Sequence, residues 1–445
     1  MDTLIQIVQI LFILSVLVIL HEFGHYIPAK IFKVRAEKFY LFMDAGFSIF
    51  KKKIGETEWG IGWLPIGGYV KLSGMIDESM DSEQMKEPAK PWEFRSKPAW
   101  QRLIIMLGGI TVNILLAILI FTVMYSTVGQ KIPSTEVYQK DGLMFGEVGK
   151  AVGFKNGDRI LTVDGTFQPR FNRMFLDVLL GEEVVVDRNG EKVKIHLTEE
   201  NKRDILAKEG KEFILPRLEQ TTIDSLMTDS EALKSGLKKG DEILSVNNEK
   251  FRFYDELKDK LLAQKKDTVT IGVKRNGTEK FIKVLVNKEG KLGFSPKFKD
   301  KEDFIKVNKM SFFDAIPAAF EESYALFVYN IKQFKLILKP KTEAYKQVKS
   351  PIGITRILPT TWDWEFVWNF MALFSIGLAF MNLLPIPGLD GGHALFTIAE
   401  MITGKKLNDK AAGYVQTVGM VILLSLMALT FGKDIYEIIK DNFFK

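Results

Sequence analysis

Apolar residues gather in four runs long enough to cross a bilayer, which takes about 20 residues as a helix. They are Leu4 to about Tyr26, Leu103 to about Val128, roughly Phe366 to Leu389, and Tyr414 to about Phe431. The first run starts after Asp2 rather than a basic segment, and "HEFGH" rather than small residues follows its core. It is therefore expected to be retained and not removed as a signal peptide. The pattern predicts a polytopic α-helical membrane protein with four transmembrane helices.

Polar stretches separate the runs. In the first, "EWGIGWLPIGGYVKL" (Glu58 to Leu72) reads as strands joined by Gly and Pro turns. In the second, "VGFKNGDRILTVDGT" (Val152 to Thr166) and "SGLKKGDEILSVNNE" (Ser235 to Glu249) repeat one pattern about 83 residues apart. Each pairs a Gly-Asp with alternating Ile, Leu and Val, and each is followed by β-rich sequence with an Arg-Asn-Gly turn. Self-similarity at that period predicts two copies of one domain, and both copies resemble PDZ domains. Phe313, Ile316, Phe320, Tyr324, Phe327, Ile331, Phe334 and Leu338 then recur at spacings of three and four, the signature of an amphipathic helix. Lys332 and Lys335 interrupt it too early for a span. Two roles stand side by side: lying at the membrane interface, or covering a core.

The resulting division is 1–30, first transmembrane helix; 31–102, a loop with strands; 103–128, second transmembrane helix; 129–216 and 217–300, the two β-rich copies. Then follow 301–345, the amphipathic helix; 346–392, third transmembrane helix; and 393–445, fourth transmembrane helix and tail.

Composition narrows the chemistry. Net charge is +6 over 445 residues, too mild to argue for nucleic acid. Cysteine is absent, which removes disulfides, thiolate metal sites and a cysteine nucleophile. Any metal must be held by His, Asp or Glu, and the only histidines are His21, His25, His196 and His393.

Two of the four stand in "HEFGH", at the end of the first apolar run. On a helix, residues i and i+4 share a face, so His21 and His25 can reach one zinc ion with Glu22 beside them as base. Zinc would lower the pKa of its water from 15.7 toward about 7, and Glu22 would take the proton. The plainer reading is two satisfied helix histidines. Three ionisable residues in a span, however, are costly and need a common partner.

A third ligand is required. In "NLLPIPGLDGGH" (Asn382 to His393), Pro385 and Pro387 break the third span and Asp390 follows. Irregular backbone at that depth is tolerated where it is buried or lines a wet cavity. Asp390 reads equally well as an N-cap for "HALFTIAEMI", and His393 competes as ligand. Topology favours Asp390 as the ligand. His21 lies ~26 Å along span one at 1.5 Å per residue, and Asp390 lies at the far end of span three. With one span between them, both ends reach the same side.

On H-E-x-x-H in the first span, N-x-x-P-x-P-x-L-D-G in the third and two intervening PDZ-like domains, the chain resembles the site-2 proteases. The resemblance covers nearly the whole chain. It implies an intramembrane zinc metalloprotease with His21, His25 and Asp390 as ligands, Glu22 as the catalytic group and Asn382 near the reacting carbonyl. "GGITVN" (Gly109, Asn113) resembles the family's G-x-x-x-N element, with Ile110 where a proline is common. "LPIGGYVKL" resembles its membrane-associated β-hairpin, so Gly67, Gly68, Tyr69 and Val70 are expected to contact substrate. "SPIGI" (Ser350 to Ile354) resembles the stretch before the third span.

The implied setting is the bacterial inner membrane, with the active site near the cytosolic side and the PDZ-like pair in the periplasm. Lys30, Lys33, Lys51, Lys52, Lys53, Lys405 and Lys406 fall on the proposed cytosolic side. The implied partners are lipid and single-span proteins already cut once by another protease, such as anti-sigma factors and remnant signal peptides. A substrate helix must unwind to expose its carbonyl, and an edge strand at Gly67 to Leu72 can take up the freed backbone by β-augmentation. A PDZ scaffold would not need H-E-x-x-H. A zinc transporter would spread its ligands along a path, and an anchored soluble-type protease would keep its motif in a polar domain.

Overall fold

The computed structural model describes residues 2–65, 67–75, 88–207, 213–219, 221–297, 301–405 and 409–443. Ile66 of the "LPIGGYVKL" stretch and Lys406 lie outside the described residues. The chain forms two units: Met1–Gln130 with Lys309–Lys335 and Val348–Lys445, and Lys131–Asn308 with Leu336–Gln347.

The first unit holds helices α1 (Asp2–Ile31), α2 (Ala99–Thr127), α3 (Phe312–Ile337, to Lys335 in this unit), α4 (Pro351–Thr355), α5 (Trp364–Leu383), α6 (Asp390–Thr403) and α7 (Asp409–Phe443). Among the described residues four are long and apolar enough to cross a membrane: α1, α2, α5, and α7 over Gly413–Tyr436. The third span ends at Leu383, before the expected Leu389, because Pro385 and Pro387 cannot donate to a continuing helix. The chain turns through Gly388 at φ +100° and restarts as the separate helix α6.

Packing in the spans relies on small residues. A Cβ on Gly24 would run into the Gly108 carbonyl, so α1 and α2 touch backbone to backbone there. Ser375 of α5 donates to the Asn113 carbonyl of α2 at 2.7 Å. Polar side chains early in α1 find carbonyls: Gln6 donates to Leu358 and Gln9 to Pro359 and Thr361. In α3, Ala315 and Ala319 are buried, whereas Phe313, Ile316, Phe320 and Tyr324 are exposed. The leading half of the predicted stripe therefore faces away from the core. Phe327 and Phe334, further along, pack on Phe380.

Between α1 and α2 lies a four-stranded sheet of β1 (Ala36–Leu41), β2 (Met43–Ile54), β3 (Thr57–Leu64) and β4 (Tyr69–Leu72), in the order β2-β3-β1-β4. The hairpin is β2–β3, turning at Gly55. The stretch expected to form a hairpin, "LPIGGYVKL", does not pair with itself. β1 runs parallel to β3 and antiparallel to β4 and so separates them, leaving β4 as an edge. An aromatic cluster docks the sheet on α1, with Phe23 to Phe39 at 4.8 Å and Tyr26 to Trp59 at 5.4 Å between ring centroids.

The second unit contains two β-rich halves with separate cores, one around Phe145, Phe154, Val184 and Val186, the other around Ile243, Val269, Ile271 and Val284. The repeated motif has a structural purpose. In the first half, buried Asp158 takes two hydrogen bonds from Arg188, at 2.8 and 2.7 Å, and one from the Lys155 amide. In the second half, buried Asp241 does the same with Arg275, at 2.6 Å twice, and with the Lys238 amide. Each arginine also donates to a glycine carbonyl, Gly153 or Gly236. The Asp of Gly-Asp thus clamps the Arg of the Arg-Asn-Gly turn in both copies.

Burial alone would raise the Asp241 carboxyl, but the Arg275 bonds hold it below the ordinary carboxylate value. A depressed folded pKa stabilises above the unfolded value of about 3.9, and that contribution fades as pH falls through the folded value. Asp241→Asn in the full chain is expected to cost about 3 kcal/mol at pH 7. Amide hydrogen exchange in the 242–246 and 268–275 strands reads this out. The gap from wild type should narrow toward pH 3, and equal protection at pH 7 would deny the clamp a role.

Candidate metal centre

Three side chains converge where α1, α2 and α6 meet. His21 Nε2 and His25 Nε2 are 3.2 Å apart, and Asp390 Oδ2 lies 3.2 Å from the first and 3.3 Å from the second. Helical spacing brings the histidines together. The Leu384–Leu389 turn delivers the aspartate. Asp390 is the first residue of α6 and makes no capping bond; the N-cap position is Leu389, without a side-chain cap. The capping alternative is thus not what the structure shows.

The donor set fits a tetrahedral ion. Bonds of about 2.0–2.1 Å from zinc imply donor-to-donor edges of about 3.3–3.4 Å, close to those observed. Asp390 Oδ2 is buried with no hydrogen-bond partner among the described residues, the condition of an acceptor awaiting a cation. Among the described residues, these three form the group able to hold a metal ion. His393 lines the same cavity but stands outside that group.

The surroundings hold the ligands in place. His25 Nδ1 donates to the Ile105 carbonyl at 2.8 Å, which leaves Nε2 with its lone pair inward. Gly109 makes room: a Cβ there would stand 2.5 Å from His21 Cε1 and from His25 Nε2. Glu22 is buried beside them at 8% exposure. The Val70 backbone amide lies against its carboxylate.

A cavity of about 680 Å³ leads to this point. Ile7, Ile10, Leu11, Leu14 and Val18 line it along α1, with Phe374 and Leu378 of α5 and Met427 and Phe431 of α7. The residues expected to meet substrate also border it: Gly67, Gly68, Tyr69, Val70 and Asn382. Asn382 Nδ2 is 3.2 Å from His21 Nε2. Gly68 passes so near α1 that a Cβ would meet Val18 Cγ1 and the Tyr40 carbonyl, and Gly67 has φ +155°, unfavourable for any side chain.

Sequence reasoning missed several parts. Ile105 contributes only a carbonyl, which has no residue-type signature. "SPIGI" carried no assigned role; here the Ser350 amide and hydroxyl and the Gly353 amide all donate to buried Asp434 of α7. Arg102 of α2 pairs with Glu400 of α6 at 2.5 Å, fixing the helix that carries Asp390.

The family model described as Peptidase family M50 matches residues 9–426. A Clostridium acetobutylicum protein named "Putative zinc metalloprotease" is 26% identical, covering 95% of this chain and 94% of its own. A Treponema pallidum protein of the same name is 24% identical, covering 97% and 99%. The Haemophilus influenzae protein named regulator of sigma E protease is 27% identical, covering 95% and 96%.

Gly109→Ala should raise intrinsic helix propensity by about 1 kcal/mol and yet weaken metal retention, because its methyl enters the histidine rings. Metal content after dialysis against a weak chelator measures this. Wild-type retention would mean the rings do not need that space.

Proposed function

Because the chain belongs to peptidase family M50, the site-2 proteases, we propose that it hydrolyses peptide bonds within or near transmembrane segments of single-span proteins. It is a zinc metalloprotease and a membrane protein. The observation that carries the reading is the position of the three donor atoms and Glu22 on an apolar cavity running along α1.

His21, His25 and Asp390 would hold the zinc. When bound, zinc lowers the pKa of water toward about 7 and polarises a carbonyl. Glu22 takes the proton from the attacking water and returns it to the leaving amine. Asn382 directs its amide N–H at the charge developing on the carbonyl oxygen. The open edge of β4 receives an unwound substrate segment as an added strand, replacing the hydrogen bonds its helix gave up. The apolar α1 wall accepts the part that stays helical.

The proposed substrates are membrane proteins already trimmed by another protease, of the anti-sigma factor or remnant signal peptide kind. The name of the Haemophilus relative supports the first. Lys30, Lys33, Lys51, Lys52, Lys53 and Lys405 support a cytosolic-side active site in a bacterial inner membrane. The two β-rich halves would then be periplasmic and PDZ-like.

Glu22→Gln is expected to abolish cleavage of a model transmembrane peptide while zinc content stays at the wild-type level. Residual turnover in a clean preparation, or lost zinc, would remove Glu22 from the role of base. Val70→Pro deletes an amide from the edge strand. It should reduce cleavage of helical substrates more than of short unstructured peptides; equal losses would point to misfolding or to the lost Val70 amide contact with Glu22.

A further inference from the structure

His21 poses a question of proton placement. Its Nδ1 lies 3.2 Å from Nδ2 of Asn113, and its Nε2 lies 3.2 Å from Nδ2 of Asn382. A neutral imidazole carries one N–H and one lone pair, so it cannot accept at both nitrogens. Nε2 is the atom facing Asp390 Oδ2 and His25 Nε2. A metal ligand must be unprotonated there, which puts the proton on Nδ1, and that N–H needs an acceptor.

Asn113 can supply one. Its side chain is fully buried, and its Oδ1 has no hydrogen-bond partner among the described residues. Rotating the amide by half a turn exchanges Oδ1 and Nδ2 and sets the oxygen against Nδ1. Either orientation leaves one amide atom unpaired, but only this one is compatible with an inward lone pair on His21. His25 shows the same arrangement already made, with Nδ1–H donated to the Ile105 carbonyl at 2.8 Å. Ile105, Gly109 and Asn113 recur every four residues along one face of α2. The outer two take the histidine N–H groups, and the glycine between leaves space for the rings.

We propose that Asn113 is a positioning residue which accepts Nδ1–H of His21 through its side-chain oxygen and so fixes the tautomer that presents Nε2 to the metal. The proposal rests on His21 being a ligand. It assigns Asn113 no contact with substrate.

The test uses the full chain in detergent, with zinc affinity measured by chelator competition and the Co²⁺-loaded protein by its visible absorption. Asn113→Leu fills similar space and accepts nothing, so zinc should bind 10–100-fold more weakly and the Co²⁺ bands should shift. Asn113→Asp keeps an acceptor, so its affinity should match or exceed wild type with the bands in place. A purely structural role would not produce that rescue. Wild-type affinity in Asn113→Leu overturns the proposal, as does an equal loss in Asn113→Asp. If Asn113→Leu fails to fold, Asn113→Ala, which also accepts nothing, takes its place in the comparison with Asn113→Asp. His21→Ala is run beside them. If it keeps wild-type affinity, the ligand reading falls and this proposal with it. If it loses zinc while both Asn113 variants bind normally, only the role of Asn113 falls.

Discussion

The rest of the first unit depends on one electrostatic constraint: two imidazole nitrogens and a carboxylate oxygen held 3.2–3.3 Å apart inside apolar helices. Three lone-pair atoms pointed at a common point repel one another, and the surrounding hydrocarbon offers no water to relieve them. A cation at that point turns the repulsion into attraction, and nothing else among the described residues there does so. The glycine contact of α1 on α2, the Pro-broken end of α5 and the Arg102–Glu400 pair under α6 each bring one of the three atoms into place or keep it there.

Much of this was legible because the constraint acts on residue types. H-E-x-x-H is visible through helical spacing, and Asp390 through proline, glycine and the parity of the spans. Other parts were hidden because they act through the backbone. The Ile105 carbonyl could come from any residue. The parallel pairing of β1 with β3 was not legible either, since alternation shows which residues form strands but not which strands are neighbours. The hairpin expected at Leu64 to Leu72 rested on the family resemblance, and β1 lies between β3 and β4 there.

The β-rich unit shows the opposite balance. There the repeat itself was readable, and its cause is now visible as a buried carboxylate gripping an arginine 30 or 34 residues later in the sequence. A motif shared by two copies need not mark a binding site. Asp158 and Asp241 are both buried beneath their own arginines, so the similarity of the two segments follows from folding. It bears on how the two halves fold and not on peptide affinity.

The edge strand β4 links the buried centre to the substrate problem. An open edge in a membrane protein is a liability, because unpaired amides and carbonyls at membrane depth are costly. Here the edge lies beside Glu22, and Gly68 brings it closer than a residue with a side chain could come. A substrate helix has the complementary difficulty, since it cannot offer a carbonyl to attack until it gives up its own hydrogen bonds. Each partner supplies what the other lacks. Under the proposed function, the energetic cost of keeping β4 unpaired would be recovered when a substrate unwinds against it. That reading would place selection on how readily a segment unwinds next to Glu22, more than on the side chains flanking the bond.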